Sequence, residues 1–123
     1  MAFDEYQADR IRNSFKSKGI QIVEKKMMGG WCAMVDDKMC IGLLQKKTDH
    51  QDLLMVRIGE EKYESVKNEK HVLPMDFTGR PMRGYAFIAA DGFDLEEDLN
   101  RWIEYCIEYN PKAKSSKRKK SKT

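Results

Sequence analysis

The sequence predicts an α+β fold of two layers, in which an antiparallel sheet carries its helices on one face, in the order α-β-β-β-β-α-β-α. Near each end of the chain, apolar residues recur at helical spacing. Between Gly19 and Gly59 they alternate with polar residues and are interrupted by pairs of turn-forming residues, as in a strand meander. The length of 123 residues and the hydrophobic content of 41% suit one domain with its own core.

The first helix is predicted at about residues 5–18. Asp4 and Gln7 have the spacing of a capping box, which favours a helix that begins directly after Asp4. Gly19 suits the left-handed residue that closes a helix. The apolar face of this helix consists of Ala8, Ile11 and Phe15.

Three strands are predicted next, at about residues 21–28, 31–35 and 38–44. Gly29-Gly30 and Asp36-Asp37 are the candidate two-residue turns between them. If both loops have two residues, the register of the strands follows. The expected cross-strand pairs are Met28 with Trp31, Met27 with Cys32, Val35 with Lys38, and Cys32 with Ile41.

Alternation sorts the side chains of these strands onto two faces. We expect the helices to cover the more apolar face, which holds Val23, Lys25, Met27, Cys32, Met34, Met39, Ile41 and Leu43. The other face mixes charged with large apolar side chains, and its centre is a candidate surface for a protein partner or a second copy of the chain. The residues predicted to make that contact are Met28, Trp31, Val35 and Leu44. The alternative is that a loop or the C-terminal segment covers this patch.

The second half of the chain adds a strand at 53–58, a short helix at 60–68, a strand at 83–89 and a long helix at 95–109. Asp94 and Glu97 form a second candidate capping box, before an apolar helical stripe. Pro111 is expected to stop this last helix.

The sequence contains none of the common catalytic or nucleotide-binding signatures. His50 and His71 lie in predicted loops, where a solvated histidine is the usual case. Cys32, Cys40 and Cys106 have no metal-binding spacing and are expected to be buried thiols, with Cys32 and Cys40 on opposite faces of the sheet. We therefore expect no enzyme activity, catalytic residue, cofactor or metal.

The segment from Phe77 to Gly84 is a candidate anion site. Arg80 and Arg83 flank a rigid turn whose glycines would let a phosphate or carboxylate approach the backbone. The alternative is a constrained loop whose arginines pair with neighbouring acids. If the loop holds an anion, the chain is a small ligand-binding domain or an enzyme.

Charge divides the chain into a domain at 1–110 and a basic tail at 111–123. Seven of the 23 basic residues lie between 112 and 122, which leaves 16 basic against 20 acidic residues in the domain. The tail is expected to be disordered, since it offers almost no apolar surface. Its lysines and arginine can bind nucleic acid weakly and without sequence preference, chiefly through Lys117, Arg118, Lys119 and Lys120. The alternative is a solubilising extension.

No apolar stretch is long enough to cross a membrane, and the N-terminus lacks the features of a signal peptide. We therefore expect a cytoplasmic protein that does not associate with membranes.

Several sequence blocks occur together in a recognisable order: EKKMMGG-WCAMV at 24–35, KMCIG at 38–42, LMVRIG at 54–59 and MDFTGRPMRG at 75–84. Over roughly residues 3–109 the chain resembles the N-terminal domain of the TfoX/Sxy family. Met28 departs from the family pattern, which usually has phenylalanine there. The resemblance implies an α+β sandwich and no catalytic residues.

Two-domain members of that family are regulators of natural competence that promote transcription together with the cyclic-AMP receptor protein. This chain carries a short basic tail where those members carry a helical second domain. The resemblance therefore implies a small interaction module that binds a protein partner in transcription or DNA-uptake regulation. The alternative hypotheses are nucleic-acid binding through the basic tail and anion binding by the Arg80 and Arg83 loop.

Overall fold

The computed structural model describes residues 4–27, 30–45, 51–73 and 83–113. Its order of helices and strands confirms the predicted α+β arrangement. The helices are α1 (Glu5–Ser17), α2 (Glu60–Val66) and α3 (Glu96–Tyr109). The strands are β1 (Val23–Met27), β2 (Gly30–Val35), β3 (Lys38–Gln45), β4 (Asp52–Arg57) and β5 (Tyr85–Ala89). Short 3-10 turns at Ala90–Gly92 and Asn110–Lys112 flank α3.

Helix α1 begins and ends at the predicted residues. The Asp4 carboxylate accepts a hydrogen bond from the Tyr6 N–H at 2.9 Å, which satisfies one free donor of the first turn. Gly19 closes the helix with φ of 73°. The reciprocal half of the capping box does not form, because Gln7 Oε1 instead accepts from Arg10 Nη1 at 2.8 Å.

The capping box predicted for α3 is wrong. The residue that precedes the helix is Leu95, and it makes no side-chain cap bond. The carbonyl of Asp94 instead accepts from Arg10 Nη2 at 3.0 Å, and Glu96 accepts from the same nitrogen at 3.2 Å. The start of α3 is thus held by a buried arginine of α1, through a contact between residues distant in the chain.

The five strands form one antiparallel sheet in the order β1-β2-β3-β4-β5. Asp36 and Asp37 form the predicted two-residue turn, with φ of 57° and 64°, and Val35 pairs with Lys38 as expected. After α2, the chain returns so that β5 pairs with β4.

The register of the first hairpin differs from the prediction by two residues. Lys26 lies opposite Trp31, where we expected Met28, and Lys25 lies opposite Cys32, where we expected Met27. The last pair before the turn is therefore Met27 with Gly30. Side chains of a strand alternate with a period of two, so this shift leaves them on the same faces.

A bulge in β3 makes the second register prediction wrong. Met34 lies opposite Met39, but the next pair is Ala33 with Ile41, so Cys40 is the extra residue. Cys32 consequently pairs with Gly42 and not with Ile41. Because the extra residue interrupts the alternation, the side chains of Met39 and Ile41 lie on opposite faces of the sheet.

All three helices pack on one face of the sheet and form with it the helix-side cluster. Its strand residues are Trp31, Ala33, Cys40, Ile41, Leu43, Leu54, Val56, Ala86 and Ile88. Ile41 and Leu43 were expected in this position, but Trp31 was not. Two of the strand residues are alanines, which let the helices approach the sheet closely.

The opposite face is also buried, and its residues form the second-face cluster. They are Cys32, Met34, Met39, Met55 and Phe87. Leu44, Leu73 and Tyr85 pack against them. The prediction that Cys32, Met34 and Met39 lie under the helices is therefore wrong. It failed because both faces are apolar, and because the bulge moves Ile41 and Leu43 away from Met39.

Candidate interaction surface

Of the four residues predicted to contact a partner, the three that the structure describes do not share an exposed face. Trp31 is only 3% exposed and lies in the helix-side cluster, which Val35 also contacts. Leu44 packs against the second-face cluster, because the bulge turns it to the other side of the sheet. Met28 lies outside the described residues. The geometry predicted for this surface is therefore wrong.

The predicted anion site is described only in part, since Arg80 lies outside the described residues. The side chain of Arg83 is 80% exposed, and its Nη1 lies 3.9 Å from Oε2 of Glu60. Such an exposed pair is weak in water. Anion binding by Arg80 and Arg83 stays a prediction.

The two edges of the sheet differ. Residues 71–73 pair with the outer side of β5: the Leu73 N–H donates to the Phe87 carbonyl at 2.9 Å, and the Ala89 N–H donates to the His71 carbonyl at 2.9 Å. Strand β1 is the opposite edge. Within the described ranges, no residue pairs with its outer side.

The register shows which backbone groups of β1 point outward. Met27 and Gly30 flank a two-residue connection. In that position the N–H of each residue donates to the carbonyl of the other. Because successive residues of a strand bond alternately to its two sides, the odd-numbered residues of β1 bond to β2. The N–H and C=O groups of Glu24 and Lys26 therefore point away from the sheet and are available to an added strand.

One side chain of β1 is firmly anchored. The Arg12 guanidinium donates to both carboxylate oxygens of Glu24, at 2.8 and 2.7 Å, and the Trp31 indole N–H donates to one of them at 2.9 Å. The hydrogen bonds from Arg12 lower the pKa of Glu24, although partial burial opposes this. Glu24 is consequently ionised at neutral pH, and Arg12 neutralises its charge.

The other described side chains of this edge are free. Lys25 and Lys26 are exposed, and neither forms an ion pair with another described residue. Val23 is 60% exposed, although it is a large apolar side chain. The sequence pattern placed Val23 and Lys25 in the core, so this edge was missed as a surface. The consecutive lysines are the signal that could have identified it, because lysine is common on open edge strands.

An open cleft of about 410 Å³ lies between the start of α2 and the end of α3. Tyr105 and Tyr109 line it, and Lys62 Nζ lies 4.4 Å from the centre of the Tyr105 ring. Its charged lining residues are Glu60, Glu61, Glu108, Lys62 and Lys112. Because acids and bases nearly balance there, the cleft does not favour a ligand of either charge.

Comparison with known families agrees with this fold. The family model described as the TfoX N-terminal domain matches residues 15–109, which is well over half of the chain. The chain belongs to the TfoX N-terminal domain family. Among curated proteins, none matches it significantly. The match extends from α1 to the last residue of α3, so the β1 edge is part of the TfoX N-terminal domain.

The three cysteines of this TfoX N-terminal domain are buried thiols that form no disulfide, as predicted. Cys40 and Cys106 belong to the helix-side cluster and Cys32 to the second-face cluster, which confirms that Cys32 and Cys40 occupy opposite faces. Burial raises the pKa of Cys106, and the neighbouring Cys40 thiol raises it further. Burial also raises the pKa of Cys32. These two thiols are therefore protonated at neutral pH.

Residues 110–113, which directly follow α3, pack against the rest of the TfoX N-terminal domain. Pro111 lies in a 3-10 turn, and Ala113 is buried. Asn110 Nδ2 donates to the Val35 carbonyl at 3.2 Å, and Lys38 Nζ donates to the Asn110 carbonyl at 3.1 Å. The tail residues Lys117, Arg118, Lys119 and Lys120 lie outside the described residues, as does His50.

Two features are absent from the described ranges of the TfoX N-terminal domain. None of the helices found there is long and apolar enough to cross a membrane. The same ranges contain no group of three or more histidine, cysteine, aspartate or glutamate side chains placed to hold a metal ion.

Proposed function

We propose that this TfoX N-terminal domain is a small non-enzymatic module that binds a protein partner by pairing a strand of that partner with β1. The observation that carries the proposal is that no residue of the described ranges pairs with the outer side of β1, whereas residues 71–73 pair with the opposite edge of the sheet. Strand addition is a recurrent mode of peptide recognition because main-chain hydrogen bonds supply much of the affinity. Glu24 and Lys26 offer the backbone groups for these bonds.

The biological role we propose is that of an accessory factor in the regulation of transcription or DNA uptake. Support for this role comes from the family, whose two-domain members regulate natural competence. A non-enzymatic role is supported by the lack of catalytic motifs in the sequence. It is also supported by the burial of the three thiols, because a reactive cysteine needs an accessible thiolate.

The experiment compares the full chain with two variants of Lys26. Lys26→Pro removes an outward N–H and leaves the ladder to β2 intact, because proline is tolerated where the N–H of an edge strand faces solvent. Lys26→Ala removes the side chain but keeps the N–H. After cross-linking in the source cell, we expect the wild type and Lys26→Ala to retain the same defined protein and Lys26→Pro to lose it.

Thermal unfolding of the two variants is the control, and we expect closely similar midpoints. Retention of the same protein by a folded Lys26→Pro variant would contradict binding through β1.

A further inference from the structure

We propose that the strand accepted by β1 is an acidic extended segment of another protein, with adjacent carboxylates opposite Lys25 and Lys26 and an apolar residue opposite Val23. This inference rests on the proposed function and specifies the chemistry of the partner. Residues directly opposite each other in a sheet lie on the same face, so each of these side chains selects one position of the added strand.

Charge complementarity identifies the acidic partner. Lys25 and Lys26 lie on opposite faces of β1, and neither forms an ion pair with a described residue. The one acid of the strand, Glu24, is already bound by Arg12. The edge therefore presents two uncompensated positive charges, and opposite charges across neighbouring strands stabilise their pairing.

A second copy of the chain fits this edge poorly. In a two-fold symmetric antiparallel pair, the residue on the axis lies directly opposite its own copy. At the centre of β1 that residue is Glu24, Lys25 or Lys26, so each such register places two identical charges together. The register centred on Lys25 would also set Glu24 opposite Lys26, but the charge of Glu24 is already neutralised by Arg12. Like charges directly opposite each other destabilise strand pairing.

The basic tail of the same chain is also a poor occupant. The seven basic residues between 112 and 122 have the same sign as the two lysines of β1, and this stretch contains no acid. Repulsion therefore opposes its addition to the edge. A different protein that supplies carboxylates remains the best match.

The test uses the isotopically labelled full chain and two synthetic peptides with blocked ends. The acidic peptide is Thr-Val-Glu-Glu-Thr-Val-Thr, which in antiparallel pairing places its carboxylates opposite Lys26 and Lys25 and a valine opposite Val23. The basic peptide has two lysines in place of the two glutamates. Amide chemical shifts report both the affinity and the location of binding.

We expect the acidic peptide to bind about tenfold more tightly than the basic one. The acidic peptide forms two cross-strand pairs of opposite charge with Lys25 and Lys26, whereas the basic peptide forms two pairs of like charge. Binding of the acidic peptide should protect the Glu24 and Lys26 amides from hydrogen exchange. The double variant Lys25→Glu with Lys26→Glu should reverse the preference, and Lys26→Pro should abolish the shifts at β1.

Each contrary result has a distinct meaning. The acidic partner is overturned if the two peptides bind equally, or if the double variant does not reverse the preference. In that case, loss of binding in Lys26→Pro would still support strand addition. Peptide shifts at β1 that persist in Lys26→Pro, or no protection of the two amides, overturn strand addition and with it the proposed function. A concentration-dependent dimer that Lys26→Pro dissociates overturns the acidic partner in favour of a second copy.

Discussion

The indole N–H of Trp31 donates to the carboxylate of Glu24 at 2.9 Å, across the hairpin of β1 and β2. This bond connects a buried side chain of the helix-side cluster to an exposed edge strand. The Arg12 guanidinium binds the same carboxylate and lies 5.6 Å from the centre of the Trp31 ring. Helix α1 is thereby joined to β1, so the edge strand has a fixed position although no described residue pairs with its outer side.

Acidification should weaken the contact between Glu24 and Arg12. The pKa of Glu24 is lowered in the folded state, so the stabilisation is complete above the unfolded pKa, about 4.3, and is lost as the pH falls through the folded value. Because the pair is partly exposed, we expect a contribution below about 1 kcal/mol. Urea unfolding between about pH 6 and about pH 3 measures it, across the range in which carboxylates titrate.

Glu24→Gln is the variant for this measurement, because the amide oxygen can still accept from Trp31 while the charge is lost. Its stability should depend less on pH than that of the wild type. Glu108→Gln, at an exposed carboxylate without an ion pair among the described residues, is the control and should follow the wild type. Equal pH dependence in all three proteins would contradict the prediction.

The second-face cluster should contribute to stability although the described helices all pack on the other face. Met34 is 6% exposed, whereas Val23, directly opposite it in the sheet, is exposed. We expect Met34→Ala to reduce the free energy of unfolding by about 2–4 kcal/mol, because it leaves a cavity. Val23→Ala should change it by less than about 0.5 kcal/mol. Chemical denaturation of both variants checks this, and similar small losses would mean that this face is not packed.

Gly30 should not tolerate a side chain. A Cβ atom at this position would collide with the carbonyl oxygen of Leu43 in β3. We expect Gly30→Ala to lower the free energy of unfolding by more than about 2 kcal/mol, because the backbone of the sheet must move to make room for the side chain.

Gly19→Ala is the matched substitution. A Cβ at Gly19 meets nothing within 4 Å, but the φ of 73° disfavours alanine. We expect Gly19→Ala to lower the free energy of unfolding by about 1–2 kcal/mol. Thermal unfolding compares the two variants, and a Gly30→Ala protein as stable as Gly19→Ala would contradict the close approach of β2 and β3.

The basic tail is tested by truncation after Ala113, which keeps the buried residues of the C-terminal 3-10 turn. If the tail binds nucleic acid, the full chain should be retained on DNA at low salt and released at high salt, because bound lysines displace counterions from phosphates. The truncated chain should unfold at the same temperature but show no such retention. Equal retention of both proteins would remove the support for the nucleic-acid alternative.

Local patterns predicted the helices and strands well. Asp4 and Gly19 mark the ends of α1, and Asp36-Asp37 forms the expected turn, because caps and turns depend on residues close together in the chain. The capping box at Asp94 failed for the opposite reason. Arg10, distant in sequence, binds the Asp94 carbonyl, and such a contact leaves no local pattern.

The residues predicted for the partner surface fail to form one face for a related reason. Alternation assumes an uninterrupted ladder, and one extra residue, Cys40, changes the face of every later side chain in β3. Trp31 also has the composition of an interface residue, but large aromatic side chains are equally suited to a core. Neither ambiguity can be resolved without the positions of the helices.

The sequence by itself determined the order of elements, the buried thiols and the family resemblance, because periodicity, turn residues and sequence blocks can be read along the chain. The tertiary structure decided which face the helices cover, that the opposite face is also buried, and that β1 is the edge without a partner among the described residues. These properties depend on which elements meet in space. Consecutive lysines are compatible with an edge strand, but only the position of the neighbouring strands makes the backbone of that strand available to a partner.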